Sequence, residues 1–347
     1  MRGFRKYLTP FAPDQSGAVS VLFELGGIVV ICDAGGCTGN VCGFDEPRWF
    51  EQKSAIFSAG LRDMDAILGR DDRLVAKLAD VVQKIDATFV AVIGTPVPAV
   101  IATDYLALKR MSEKKIKLPI LTVDTDGMEL YDKGEEKAFL ELFKIFAIEK
   151  YQAEEDRIGI LGMTPQDVSD LDAADKIRDL YQQKYGKQAV CYCMGDGLEE
   201  IREASSVSRN IVVSPAALMT AKYLEKTFGT PYEIHYPLVD ELIPDVDYTG
   251  KKILVVHQQV IADSIRRELK ARGAEIVQVA DWFMMKKELR EEGDVFLRDE
   301  DDYIEVVENG DFDIIFADEC MKRMIPEFGG IFVNTRHFAV SGKLIGK

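Results

Sequence analysis

The chain has 347 residues, of which 47% are apolar and 29% charged, with a formal net charge of −16. That size and balance suit a globular protein of two or three domains, and an acidic surface argues against nucleic acid as a partner. The longest apolar stretch, residues 17–32, falls short of a membrane span and is broken by Glu24. The opening "MRGFRKYLTPFAPDQSG" carries charges with no apolar run behind them, so no export signal is read. A cytoplasmic setting with reduced cysteines is therefore expected.

Taken in chain order, short β-branched runs alternate with helical patterns. Strands are expected at 26–32, 87–94, 118–124, 156–162, 188–193, 209–214, 251–257, 274–280 and 312–318. Most are continuously apolar, as strands covered on both faces should be. Helical periodicity is read at 72–84, 134–148, 170–185, 215–228 and 258–272. This alternation predicts an α/β fold of parallel sheets flanked by helices. Polar "YQAEEDR" (151–157) and proline-bearing "YPLVDELIPDVDYTGKK" (236–252) divide the chain into units at 1–150, 151–248 and 249–347. The acidic stretch 293–302 reads as a solvated loop.

In parallel sheets, ligands gather beyond the carboxyl ends of the strands. There the sequence places Cys32, "GTPVPA" (94–99), "CMGDGLEE" (193–200), Ser214 and His257. The loop "ICDAGGCTGNVCGF" (31–44) holds Cys32, Cys37 and Cys42, half of the six cysteines, with four residues between neighbours. Three readings of it stand: iron–sulfur ligands, with glycines letting backbone amides approach the sulfides; zinc ligands, although the paired spacing usual for structural zinc is missing; or small core residues. Three thiols lack a fourth ligand, and a symmetric dimer would supply it by bringing the same loop from two chains together. Cys191 and Cys193 share a face of one strand and read as core, Cys320 lies at another strand end, and His235 and His337 carry no motif. No P-loop, GxGxxG after a strand, HExxH or GxSxG is present, which disfavours an ATPase, a simple nicotinamide enzyme and a zinc hydrolase.

The segments "SGAVSVLFELGGIVVICDAGGC", "SAIFSAGLRDMDAILG", "GTPVPAVIATD" and "MGDGLEEIREASSVSRNIVVSPAALMTAKYLEKTFGTPY" resemble, in that order, the nitrogenase component 1 family, over residues 12–340 or so. The resemblance implies three Rossmann-like units, a dimeric core, metalloclusters and electrons delivered by an ATP-dependent iron protein. Cys37 falls on the cysteine of the family's "GPxGC" loop. Cys32 stands where the family often has histidine, and Cys42 is additional. The family's other two cysteines of this region fall near Pro13 and Pro96, and its catalytic-cofactor cysteine falls on Ser214. Dinitrogen reduction is thus not expected.

The leading expectation is a homodimeric iron–sulfur reductase component. Its cluster, of 4Fe–4S type, would be held by Cys37 with Cys32 and Cys42. Its small-molecule substrate, for example a tetrapyrrole, would lie in a cleft lined by Gly195, Asp196, Ser214 and His257. The alternative is a non-catalytic scaffold or carrier for a metallocluster or metal cofactor. A third reading is a cluster-free sensor of a small ligand.

Overall fold

The computed structural model describes residues 5–52 and 54–346. Three wholly parallel sheets follow one another along the chain. The first is built from β1 (Ile28–Ile31), β2 (Ala55–Ser58), β3 (Val90–Ile93) and β4 (Ile120–Val123), in the order β2-β1-β3-β4. The second takes β5 (Glu154–Leu161), β6 (Gln188–Cys191), β7 (Val207–Val212) and β8 (Tyr232–Ile234), in the order β6-β5-β7-β8. The third takes β9 (Lys252–Val256), β10 (Ile276–Asp281), β11 (Val295–Phe296), β12 (Ile314–Ala317) and β13 (Ile331–Asn334), in the order β11-β10-β9-β12-β13. Each order reverses beside its first strand, so each sheet has a switch point where a crevice can open.

All nine expected strands form. The remaining four, β2, β8, β11 and β13, are edge strands of two to four residues. Helices run over Asp71–Val82, Tyr131–Phe146, Ala173–Tyr185, Leu218–Phe228 and Gln259–Ala271, within a few residues of their expected places. The strands of the first sheet alternate faces as the pleat requires. Val29, Ile31, Ala91 and Ile93 pack toward helix Tyr131–Phe146, while Ile28, Val30, Val90 and Val92 pack with Leu74, Val75 and Leu78 of helix Asp71–Val82.

The cores are continuous from sheet to sheet. Val29 and Ile31 share a cluster with Leu161 and Val212, and Ile158 and Ile160 share one with Ile253 and Val255. Helix Asp14–Leu22 runs through the middle of the molecule with all nine residues buried. It crosses helix Tyr131–Phe146 so closely that a Cβ at Gly17 would lie 1.9 Å from Tyr131 O, and one at Gly134 would lie 1.7 Å from Asp14 O. Only glycine permits that approach. Just before it, Leu8, Phe11 and Ala12 pack on Trp282 and Phe283 of the third sheet, and the Glu300 carboxylate accepts from the amides of Lys6, Tyr7 and Leu8. No helix among the described residues is long and apolar enough to cross a membrane.

Candidate functional site

The cysteine loop leaves the carboxyl end of β1, turns into a short helix, Gly36–Asn40, and closes in a π-turn, Val41–Asp45. Two aspartates hold it. Asp33 accepts from Thr38 N at 2.7 Å, Thr38 Oγ1 at 3.0 Å and Ser58 Oγ at 2.5 Å. Asp45 accepts from Ser16 Oγ at 2.7 Å and Asn40 Nδ2 at 2.9 Å. Gly35 has φ 120°, which a side chain would resist. Gly36, Gly39 and Gly43 face open space, with nothing within 4 Å of an added Cβ. Packing does not demand those three glycines, and their backbone is bare to whatever approaches.

The three cysteines do not share one environment. Cys32 continues the β1 face of Ile28 and Val30 and is buried with Leu74 and Val75. Burial, with Asp33 and Asp71 nearby, pushes its thiol up to about 12. Cys37 and Cys42 are half-buried and pack on the opposite core cluster. Burial and Asp33 raise Cys37; burial, Glu46 and Asp33 raise Cys42. Among the described residues no three His, Cys, Asp or Glu side chains form a metal-binding group. A three-thiol set within one chain is therefore not assembled. Cys37 and Cys42, both half-buried in the glycine-rich loop, are the two thiols of the three that an approaching group can reach.

The other predicted residues fall in two places. Ser214 and His257 belong to one buried polar junction to which all three sheets contribute. There His337 Nε2 lies 3.2 Å from Tyr131 Oη, which donates to Asp167 Oδ1 at 2.5 Å. His257 stacks on His337 with centroids 4.2 Å apart. Gln258 N donates to His257 Nδ1, which places the proton on Nε2, where it meets Arg336 O at 3.0 Å. Gln258 Nε2 donates to Val213 O at 2.7 Å, beside Ser214. Thr164 Oγ1 donates to Glu135 at 2.6 Å. Burial dominates the electrostatics. It raises Asp167 to about 6 against the hydroxyls of Ser214 and Tyr131, raises Glu135 and Tyr131 well above their ordinary values, lowers His257 to about 4 and holds His337 well below its ordinary value.

Ser214 and His257 are 1% and 2% exposed, so the expected open cleft is here a packed interface of polar groups. Several of its atoms, Glu135 Oε2, Gln166 Oε1 and Asp281 Oδ2 among them, are buried without a hydrogen-bond partner. Such groups cost free energy when closed away.

Gly195 and Asp196 lie apart from this junction, beyond the carboxyl end of β6. Gly195 N donates to Glu24 at 2.8 Å; Asp196 accepts from Cys191 N at 2.6 Å and pairs with Arg178 at 2.9 Å, on the wall of a surface cavity of about 290 Å³. Tyr131, Glu135 and Asp167 escaped the reading of the sequence. The signal for Asp167 was present: "GMTPQD" follows a predicted strand and opens a helix with proline, as "GTPVPA" does.

A fold of three parallel sheets with a cysteine loop at the end of the first strand meets a family profile. Residues 14–242 match the profile described as nitrogenase component 1 type oxidoreductase, and the chain belongs to that family. Two curated relatives are nitrogenase iron-molybdenum cofactor biosynthesis proteins NifE. That of Clostridium pasteurianum is 29% identical over 181 residues, 51% of this chain and 38% of the relative. That of Bradyrhizobium diazoefficiens is 22% identical over 185 residues, 51% of this chain and 32% of the relative. The matches thus span under two-fifths of those proteins. Among solved structures, "Nitrogenase Cp1 at pH 6.5" superimposes with a TM-score of 0.71 at 12% identity, covering 96% of this chain and 87% of the other. "Nitrogenase Cp1 at pH 5" gives 0.70 at 15% identity, covering 99% and 87%. At those identities the likeness is one of fold.

Proposed function

We propose that two copies of the chain hold one iron–sulfur cluster between their cysteine loops, through Cys37 and Cys42 of each, and that the pair acts as a reductase component. The observation that supports this reading is that Cys37 and Cys42 are both half-buried, in a loop whose Gly36, Gly39 and Gly43 face open space, and pack on a core cluster other than the one that buries Cys32. Two thiols per chain make four per pair. A cluster bound there supplies one-electron transfer at a potential set by amide hydrogen bonds and burial. Asp33 and Asp45 fix the loop's shape.

Electrons would come from an ATP-dependent iron protein, as the family resemblance implies, and pass to a small molecule that opens the junction of the three sheets. Reduction also consumes protons. At the junction they are held along His337 Nε2, Tyr131 Oη and Asp167 Oδ1, a buried set with an acid poised near neutral pH. A tetrapyrrole is a substrate class that would call for such low-potential electrons.

The scaffold reading draws support from the printed names of the NifE relatives and from Ser214, which offers no thiolate to a catalytic cofactor. Adding an iron protein, reductant and ATP to the anaerobic protein separates the two. A reductase component shows ATP-dependent bleaching of its visible absorbance, and its colour returns on adding a substrate. A scaffold that loads and releases a metallocluster without ATP-dependent bleaching would overturn the reductase proposal.

A further inference from the structure

A cavity of about 700 Å³ lies on the third sheet; its wall includes Val340 and Ser341, whose amides donate to His337 O, so it backs onto the buried junction, and none of its lining residues belongs to the cysteine loop. It is bounded by the turn Glu319–Met324, which leaves the carboxyl end of β12, by the edge strand β13 and by residues 7–9. Its lining includes the rings of Phe328 and Phe332 together with Lys322, Arg323 and Lys343, against one carboxylate, Glu319. Arg323 is held by Tyr7 O at 2.7 Å, and Lys322 reaches over the Phe332 ring at 5.9 Å. Among the described residues no carboxylate pairs with Lys322 or Lys343. In a chain of net charge −16, three cations lining one cavity oppose the general field. The volume is that of a small-molecule site.

We infer that this cavity binds an organic anion with an apolar, aromatic-sized body, its acid group held by Lys322 and Lys343 and its body laid on Phe328 and Phe332. The rings alone would take any greasy molecule, and the cations alone would take any small anion. Together they select a molecule that is both. The half-buried thiol of Cys320 lies in the same wall and reports occupancy. This inference is independent of the cluster proposal.

The test uses 8-anilinonaphthalene-1-sulfonate on the full chain, with its uncharged parent N-phenyl-1-naphthylamine and inorganic sulfate as comparisons. The sulfonate should bind saturably, about tenfold tighter than the parent, as a charge-assisted contact requires. It should slow labelling of Cys320 by N-ethylmaleimide, read by peptide mass spectrometry, while leaving Cys37 labelling unchanged. Lys322→Glu/Lys343→Glu should weaken the sulfonate about tenfold and spare the parent. Lys322→Gln/Lys343→Gln, which adds no charge, should move it in the same direction and decides the matter if the first variant loses its native circular dichroism. Equal affinity for the charged and uncharged probes, unchanged binding in the glutamine variant, or unprotected Cys320 overturns the inference. So does inorganic sulfate displacing the probe fully, which would make the site one for small anions only.

Discussion

Asp132 stands in the first turn of helix Tyr131–Phe146, 5% exposed, with Oδ1 lacking a hydrogen-bond partner. Burial raises its carboxyl from 3.8 to about 6, with Lys133 opposing. The folded state therefore holds a proton that the unfolded chain releases, so stability falls as pH rises from about 4 to about 6, and the loss persists above that. Asp132→Asn removes the cost. Urea unfolding should show the variant more stable than the parent at pH 7, by at most about 3 kcal/mol, and equal to it near pH 4. The stacked histidines act in the opposite sense. His257 is lowered to about 4, so on acidification from about 6.5 toward 4 the unfolded chain takes up a proton that the folded one does not, and stability is lost. Arg48 is a different kind of residue. It is fully buried, pairs with Glu46 at 2.7 Å and Glu24 at 2.8 Å, and reaches Ser20 O. Arg48→Ala strands two carboxylates, and the same unfolding measurement should show a loss of about 3–5 kcal/mol.

The crossing of helices Asp14–Leu22 and Tyr131–Phe146 sets the spacing of the molecule's centre, because it joins the start of the first unit to the helix that carries Tyr131, Asp132 and Glu135. Gly134→Ala would drive a methyl to 1.7 Å from a backbone oxygen, so the helices must part. A loss of about 3 kcal/mol or more in thermal or urea unfolding is expected. Gly39→Ala, in open space within a short helix, should leave stability unchanged or raise it slightly. Elements of this length were readable from the sequence because buried parallel strands are written as unbroken apolar runs. β8 and β11 were not, being short edges whose pairing comes from their neighbours. The burial of Cys32 was also readable. Cys32 shares the parity of Ile28 and Val30 and so continues their buried face, a period-two signal already present in "GGIVVIC". The polar junction was only half legible. Ser214 and His257 stand at strand ends, but the burial of Tyr131, Glu135 and Asp167 arises from how three sheets meet, which no local pattern records.

At the scale of the whole molecule, two opposing features govern association. A net charge of −16 makes two copies repel, while the first unit exposes Phe44, Phe50, Val100 and Met128 at 76%, 78%, 85% and 82%. Burying such side chains against a second copy would favour association, and the repulsion is screened by salt. Light scattering should therefore find a pair that loosens as ionic strength falls. The central claim is that Cys37 and Cys42 of two copies share one cluster. Its most direct test is molar mass and iron content measured on the same anaerobic chromatographic peak, for the parent chain and for Cys37→Ser, Cys42→Ser and Cys32→Ser. The account predicts a dimer with about four iron atoms per pair, sharp loss of iron in the first two variants because serine is a poor ligand for soft metals, and iron retained in the third. An iron-loaded monomer, or a dimer whose iron survives both Cys37→Ser and Cys42→Ser, would contradict it.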